Sequence, residues 1–233
     1  MFFPIGDDQI KGGSKPLFAY SLILINCLVF FYEISLPVES SESFLMYYGA
    51  IPEQIVHGEN LASLFTCMFL HGGWMHLIGN MLFLWVFADN IEAVIGTINF
   101  TLLYLFGGLF ASLAHIISSP MSEIPMVGAS GAISAVMGAY LIMFPSSRIK
   151  VLVLILFTSV SVPAFAFLGF WAVQQMISGV GSINTVGEES AGVAWWAHIG
   201  GFLFGIVIGF LGRSVYKKRY KYIAHSEDEE KYL

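Results

Sequence analysis

The sequence predicts an all-α membrane protein, a single bundle of six transmembrane helices. Three observations carry this. Of 233 residues, 57% are hydrophobic and 11% charged, with a mean hydropathy of +0.76, a balance foreign to soluble domains. Six long apolar stretches follow one another along the chain, most of them near or above the length that crosses a bilayer. The ten basic residues are confined to the N-terminal segment, the connection between spans four and five, and the segment after span six. With six spans they all fall on one side, which the positive-inside rule assigns to the cytoplasm together with both termini.

Residues 1–16 mix polar, glycine and apolar residues, and the apolar run that follows is too long for the core of a signal peptide. They read as a cytoplasmic segment ahead of a membrane domain at 17–212. Span one is Leu17–Leu36. The loop after it, Pro37–Leu70, mixes Gly49, Pro52, Gly58 and glutamates with apolar pairs, and is expected to form short helices lying in the membrane interface. Span two (Trp74–Ala88) and span four (Gly128–Phe144) are short, and are expected to cross inside the protein. Span three is Ile98–Ile117. Span five is read as Val151–Ile177, kinked at Pro163. Its Phe165, Phe167, Phe170 and Trp171 are either a lipid-facing stripe or a screen at the side of the bundle. Ser178–Gly192, with four glycines, is expected to give slack above it. Span six is Val193–Leu211, and residues 213–233 form a charged cytoplasmic tail. Cys27 and Cys67 have no framework or metal spacing.

Under this topology spans two, four and six run in the same direction, and each carries unusual polar residues near its outer end. His71, His76 and Asn80 open span two, Ser130 opens span four, and His198 lies just inside span six after Trp195 and Trp196. At ~1.5 Å per residue each falls within roughly 10 Å of its helix end. His76 and Asn80 are four apart and share a face. His198 is followed by Gly201, Gly205 and Gly209, a stripe that lets helices approach closely. Close approach of spans four and six would bring a serine within reach of an imidazole, which is the arrangement of a nucleophile with its base.

Blander readings exist for each residue. Ser130 could cap a helix, and His198 could bond a backbone carbonyl, although a histidine inside a membrane is costly without a role. His57, His71 and His115 read as structural, and Glu92 as a surface charge or a buried acceptor for loop backbone. His71, His76 and His198 could be three zinc ligands, but there is no His-Glu-x-x-His motif and no carboxylate at that depth, so no metal or other cofactor is expected. The nucleophile elbow of α/β enzymes needs a strand before the serine, and the membrane context excludes it.

The stretches His71-Gly-Gly-Trp-Met-His76-Leu-Ile-Gly-Asn80, Gly128-Ala-Ser130-Gly131 and Ala197-His198-Ile-Gly-Gly201 resemble the rhomboid intramembrane serine proteases in content, order and placement on spans two, four and six. The resemblance covers roughly residues 17–212 and is to the minimal six-span bacterial or archaeal form. It implies a rhomboid-like bundle with Ser130 as nucleophile and His198 as general base, a dyad without an acid. His76, Asn80 and the backbone N–H of Ser130 would form the oxyanion hole, with Gly128, Gly131, His71 and Gly201 in support. The implied partners are single-pass or polytopic transmembrane substrates and the lipid bilayer of the plasma membrane; no nucleic acid is expected. This chain lacks the Trp-Arg pair some members carry in the first loop. It has Ser134 where some carry a tyrosine that stacks on the base, so the base must be oriented by other packing. The alternatives are an inactive rhomboid-like membrane binding or quality-control protein and, from another class, a small transporter with its polar site nearer the midplane.

Overall fold

The computed structural model describes residues 2–8, 15–153, 158–183 and 193–230, with side chains described as far as residue 217. Its long helices are α1 (Leu17–Ser35), α5 (Trp74–Ile95), α6 (Thr97–Ser118), α8 (Ala164–Ile183) and α9 (Trp195–Glu230), with a shorter α7 (Ser130–Met143) among them. The five long ones each contain a segment long and apolar enough to span a membrane. Between α1 and α5 the chain forms α2 (Val38–Tyr48), α3 (Pro52–Val56), α4 (Ser63–Thr66) and a 3-10 turn at Cys67–Phe69. These are the short helices expected of that loop, and α2 buries none of its residues.

At 14 residues α7 is only ~21 Å long, less than the hydrocarbon thickness. It can be short because the bundle encloses it: residues 131–140 are all buried among α5, α6, α8 and α9. By contrast, α5 outruns the apolar stretch that announces it. Asp89, Asn90 and Glu92 end that stretch in sequence, yet they continue the helix and are buried. Glu92 is the reason α1 can begin inside the fold. The first N–H groups of a helix have no partner of their own, and α1 has no side-chain cap at Pro16. Phe18 N–H donates to Glu92 Oε1 at 3.1 Å and Ala19 N–H to Oε2 at 2.8 Å, while Thr97 Oγ1 donates to Oε1 at 2.7 Å. A carboxylate at that helix end also complements its dipole. Of the two readings of Glu92, the buried acceptor holds, but the backbone it serves is the first turn of α1 rather than a loop. The α5–α6 corner turns on Gly96 at φ +80°, a conformation that favours glycine.

The expected span five needs correction. Residues 148–153 and 158–163 are not helical: β2 (Arg148–Val153) and β3 (Thr158–Pro163) are antiparallel strands, and β1 (Phe2–Gly6) pairs with the other edge of β2. The helix therefore starts at Ala164 rather than near Val151. Half of the twelve strand residues are β-branched (Ile149, Val151, Val153, Thr158, Val160 and Val162) and favour a pleated backbone. Pro163 disfavours helical geometry in Val162, so it stands ahead of α8 and kinks nothing. The small sheet, an addition to the helical bundle, sits where α7 ends, away from Ser130. Asn90 Nδ2 donates to Asp7 Oδ2 at 2.7 Å and to the Asp8 carbonyl at 2.9 Å, and Arg148 N–H donates to Asp8 Oδ2 at 2.9 Å. Tyr140 donates its hydroxyl to Asp7 and accepts from Ser147 Oγ at 2.9 Å. The N-terminal strand is thus tied to α5, α7 and the hairpin at once. Of the segment read as slack, Ser178–Gly192, residues 178–183 belong to α8 and residues 184–192 lie outside the described residues.

Candidate active site

Close packing of α7 on α9 builds the site. A Cβ on Gly205 would lie 2.6 Å from the carbonyl carbon of Ala135, and one on Gly138 would lie 2.9 Å from the Ile206 nitrogen. At the top of the seam a Cβ on Gly201 would lie 3.1 Å from the carbonyl carbon of Gly131. Ser130 is next to Gly131, and His198 is one turn before Gly201. The backbone contact therefore delivers the side-chain contact: His198 Nε2 lies 2.8 Å from Ser130 Oγ.

The other ring nitrogen, Nδ1, lies 2.7 Å from Gln175 Oε1 on α8. The Trp171 ring packs beside the same imidazole in a tilted arrangement, with centroids 6.0 Å apart and planes at 38°, and Trp195 meets it edge-on at 6.3 Å. Ser134 does not touch the ring; its hydroxyl donates to the Ser130 carbonyl at 2.6 Å. The packing that orients the imidazole comes from Trp171 and Gln175 on α8 and from Trp195 on α9. Within the aromatic stripe, Phe165 and Phe170 are exposed, whereas Phe167 packs on Phe83 and Phe87 and Trp171 on His198 and Phe202.

Opposite the pair stand His76 and Asn80 on α5. Gly128 adopts φ +121°, and a Cβ there would meet His76 Nε2 at 2.6 Å and Asn80 Nδ2 at 3.4 Å. Only glycine leaves those two groups facing the space beside Ser130. Asn80 is buried and its Nδ2 has no hydrogen-bond partner among the described residues. A buried donor without a partner costs about 1–3 kcal/mol, which is recovered when an oxygen reaches it. Ser130 is the first residue of α7, so unpaired N–H groups and the positive end of the helix dipole face the same place. Ser130, Gly131, Gly128, His76, Asn80 and His198 all line one cavity of about 610 Å³.

His71 lies behind this wall. It is fully buried, with its ring 5.2 Å from that of His76. Its N–H donates to Glu33 Oε2 on α1 at 3.4 Å, and neither ring nitrogen has a partner among the described residues. His115 is mostly buried on α6, and His57 Nδ1 lies 2.8 Å from the Glu53 carbonyl. No group of three or more metal-binding side chains occurs among the described residues. Sequence reading passed over Gln175 and Glu33. The signal for Gln175 was a polar residue one turn beyond Trp171 in an apolar helix, and for Glu33 a carboxylate within an apolar run.

The fold and site define a multi-pass helical membrane protein with a serine and a histidine paired across two close-packed helices. A rhomboid domain model matches residues 58–215. The chain is 31% identical over 207 residues to "Rhomboid protease GluP" of Bacillus subtilis (strain 168), covering 88% of this chain and 38% of that protein. Over 158 residues it is 32% identical to "RHOMBOID-like protein 1" of Arabidopsis thaliana, covering 67% of this chain and 36% of the relative. Over 188 residues it is 28% identical to "Rhomboid protein 1, mitochondrial" of Saccharomyces cerevisiae (strain ATCC 204508 / S288c), covering 76% and 49%. The chain belongs to the rhomboid family. It spans half or less of the length of these relatives.

Proposed function

We propose that this protein is an intramembrane serine endopeptidase that cleaves transmembrane substrates, with Ser130 as nucleophile and His198 as general base. The observation that carries the reading is the 2.8 Å contact of His198 Nε2 with Ser130 Oγ beside the unpartnered Asn80 Nδ2. His198 takes the hydroxyl proton as Oγ attacks the scissile carbonyl carbon. The oxyanion that forms accepts from the Ser130 N–H, from His76 and from Asn80. Donors of this kind contribute about 2.7–4 kcal/mol each in a comparable hole. The imidazolium returns its proton to the leaving amine as the C–N bond breaks. Water then attacks the acyl carbon, His198 takes its proton, and the acid leaves with Ser130 restored. The test is labelling of purified protein with a fluorophosphonate. Adduct on Ser130 supports the reading, and an inert wild type that still binds membrane proteins would favour a non-proteolytic role.

The topology follows from charge. In a plasma membrane the basic loops and both termini face the cytoplasm, and the site lies near the outer face. A cysteine introduced at Glu188 is then labelled by an impermeant reagent from outside intact cells. Labelling only after permeabilisation would invert the arrangement.

Substrate reaches the site from lipid, past α8. Phe167 on α8 packs against Phe83 on α5, with ring centroids 6.3 Å apart, and this contact closes one side of the bundle. Tethering the two helices by a Phe83→Cys/Phe167→Cys crosslink is expected to slow cleavage of a transmembrane substrate while sparing reaction with a small fluorophosphonate. Equal rates of substrate cleavage with and without the tether would exclude passage between α5 and α8.

A further inference from the structure

An imidazole can serve as base toward Ser130 only if Nε2 carries the lone pair, so its proton must reside on Nδ1. That N–H, in a buried site, needs an acceptor. Among the described residues the ring nitrogens of His198 bond only Ser130 Oγ, at 2.8 Å, and Gln175 Oε1, at 2.7 Å. Gln175 is 4% exposed and comes from α8, a different helix from either reacting residue. Trp171 lies one turn earlier on the same face, with its ring packed at a tilt beside the imidazole. One helix face therefore restrains the ring twice, by an aromatic surface and by a carbonyl.

We propose that Gln175 is the positioning residue of the reaction: its side-chain carbonyl accepts the Nδ1–H of His198, fixing the tautomer and ring orientation that turn Nε2 toward Ser130. This rests on the reading of Ser130 and His198 as nucleophile and base. The amide suits its place. A carboxylate there would bring a buried charge, whereas the amide orients the ring by a dipole alone. The opposite amide orientation would offer N–H to Nδ1, drive the proton to Nε2 and remove the base. The other titratable groups bearing on His198 are His76 on α5 and His115 on α6; α8 has none along its sequence.

The test compares Gln175→Met, which keeps length without an acceptor, with Gln175→Glu, which keeps an acceptor and adds charge. Rates of fluorophosphonate labelling of the full chain in detergent are measured against pH, with thermal midpoints alongside. Gln175→Met is expected to label at least about tenfold more slowly at an unchanged midpoint, because the proton can settle on the wrong nitrogen. Gln175→Glu is expected to label within about threefold of wild type at its own optimum, with the acidic limb of its profile moved upward by roughly one pH unit, since a nearby negative charge favours imidazolium. Wild-type labelling in Gln175→Met, or equal losses in both variants with unmoved profiles, would overturn the assignment while leaving Ser130 and His198 in place. A wild type that fails to label would overturn the serine hydrolase reading, and this one with it.

Discussion

Ser130→Ala and His198→Ala each abolish both fluorophosphonate labelling and cleavage of a transmembrane substrate, with an expected loss of at least ~10³-fold. The reason is mutual dependence. A serine hydroxyl is a weak nucleophile at neutral pH unless a base removes its proton during attack, and the imidazole has nothing to activate once Oγ is gone. The two are joined by one contact at 2.8 Å, so either deletion removes the same function, and the double variant should be no slower than the slower single. Ser130→Ala removes only the hydroxyl at the start of α7, leaving the glycine seam untouched, so its thermal midpoint should stay close to that of wild type. A double variant far below both singles would show two independent contributions, and appreciable cleavage by Ser130→Ala would move the nucleophile elsewhere.

The second large effect needs one methyl group. Gly205→Ala places a Cβ 2.6 Å from the carbonyl carbon and 2.8 Å from the Cα of Ala135. Those are backbone atoms of a buried helix and cannot rotate away. Overpacking of this kind costs about 1–3 kcal/mol, occasionally more. The strain is relieved only by separating α9 from α7, and that separation also draws His198 from Ser130. The variant is expected to lose both thermal stability in detergent and labelling by the fluorophosphonate. Gly169→Ala is the control: a Cβ at that position on α8 meets nothing within 4 Å, and alanine favours a helix over glycine by about 1 kcal/mol. It should match or exceed wild type. Normal stability and labelling in Gly205→Ala would mean that the seam is looser than its geometry states.

Much of this was legible before any coordinates, because a bilayer imposes strong rules. Apolar length marks helices, and basic residues mark one side. A histidine or asparagine near a helix start stands out against leucine and phenylalanine. His76, Asn80, Ser130 and His198 were therefore visible as a set at one depth. The start of α8 was not, because hydropathy does not distinguish an apolar hairpin from an apolar helix; alternating valine and serine from Thr158 to Val162 was the overlooked sign. Asp89, Asn90 and Glu92 looked like the end of a span because charge there suggests water, whereas their water is replaced by the N-terminus of α1 and by β1. Gln175 was passed over for a related reason. A polar residue in an apolar helix announces that a partner exists, and only packing says which one.

The small sheet has a consequence for the order in which the molecule can be made. Phe2 pairs with Val153 and Gly6 with Lys150, so β1 must wait during synthesis for a partner that follows α1, α5, α6 and α7. At about 5–20 residues per second, that wait is on the order of ten seconds. During it Asp7 and Asp8 have neither Tyr140 nor the Arg148 N–H to bond. The sheet therefore acts as a clasp that cannot fasten before α7 is made, while α8 and α9 are still to follow. It can close only around helices already inserted side by side, and its fastening records that assembly in the membrane has reached the end of α7.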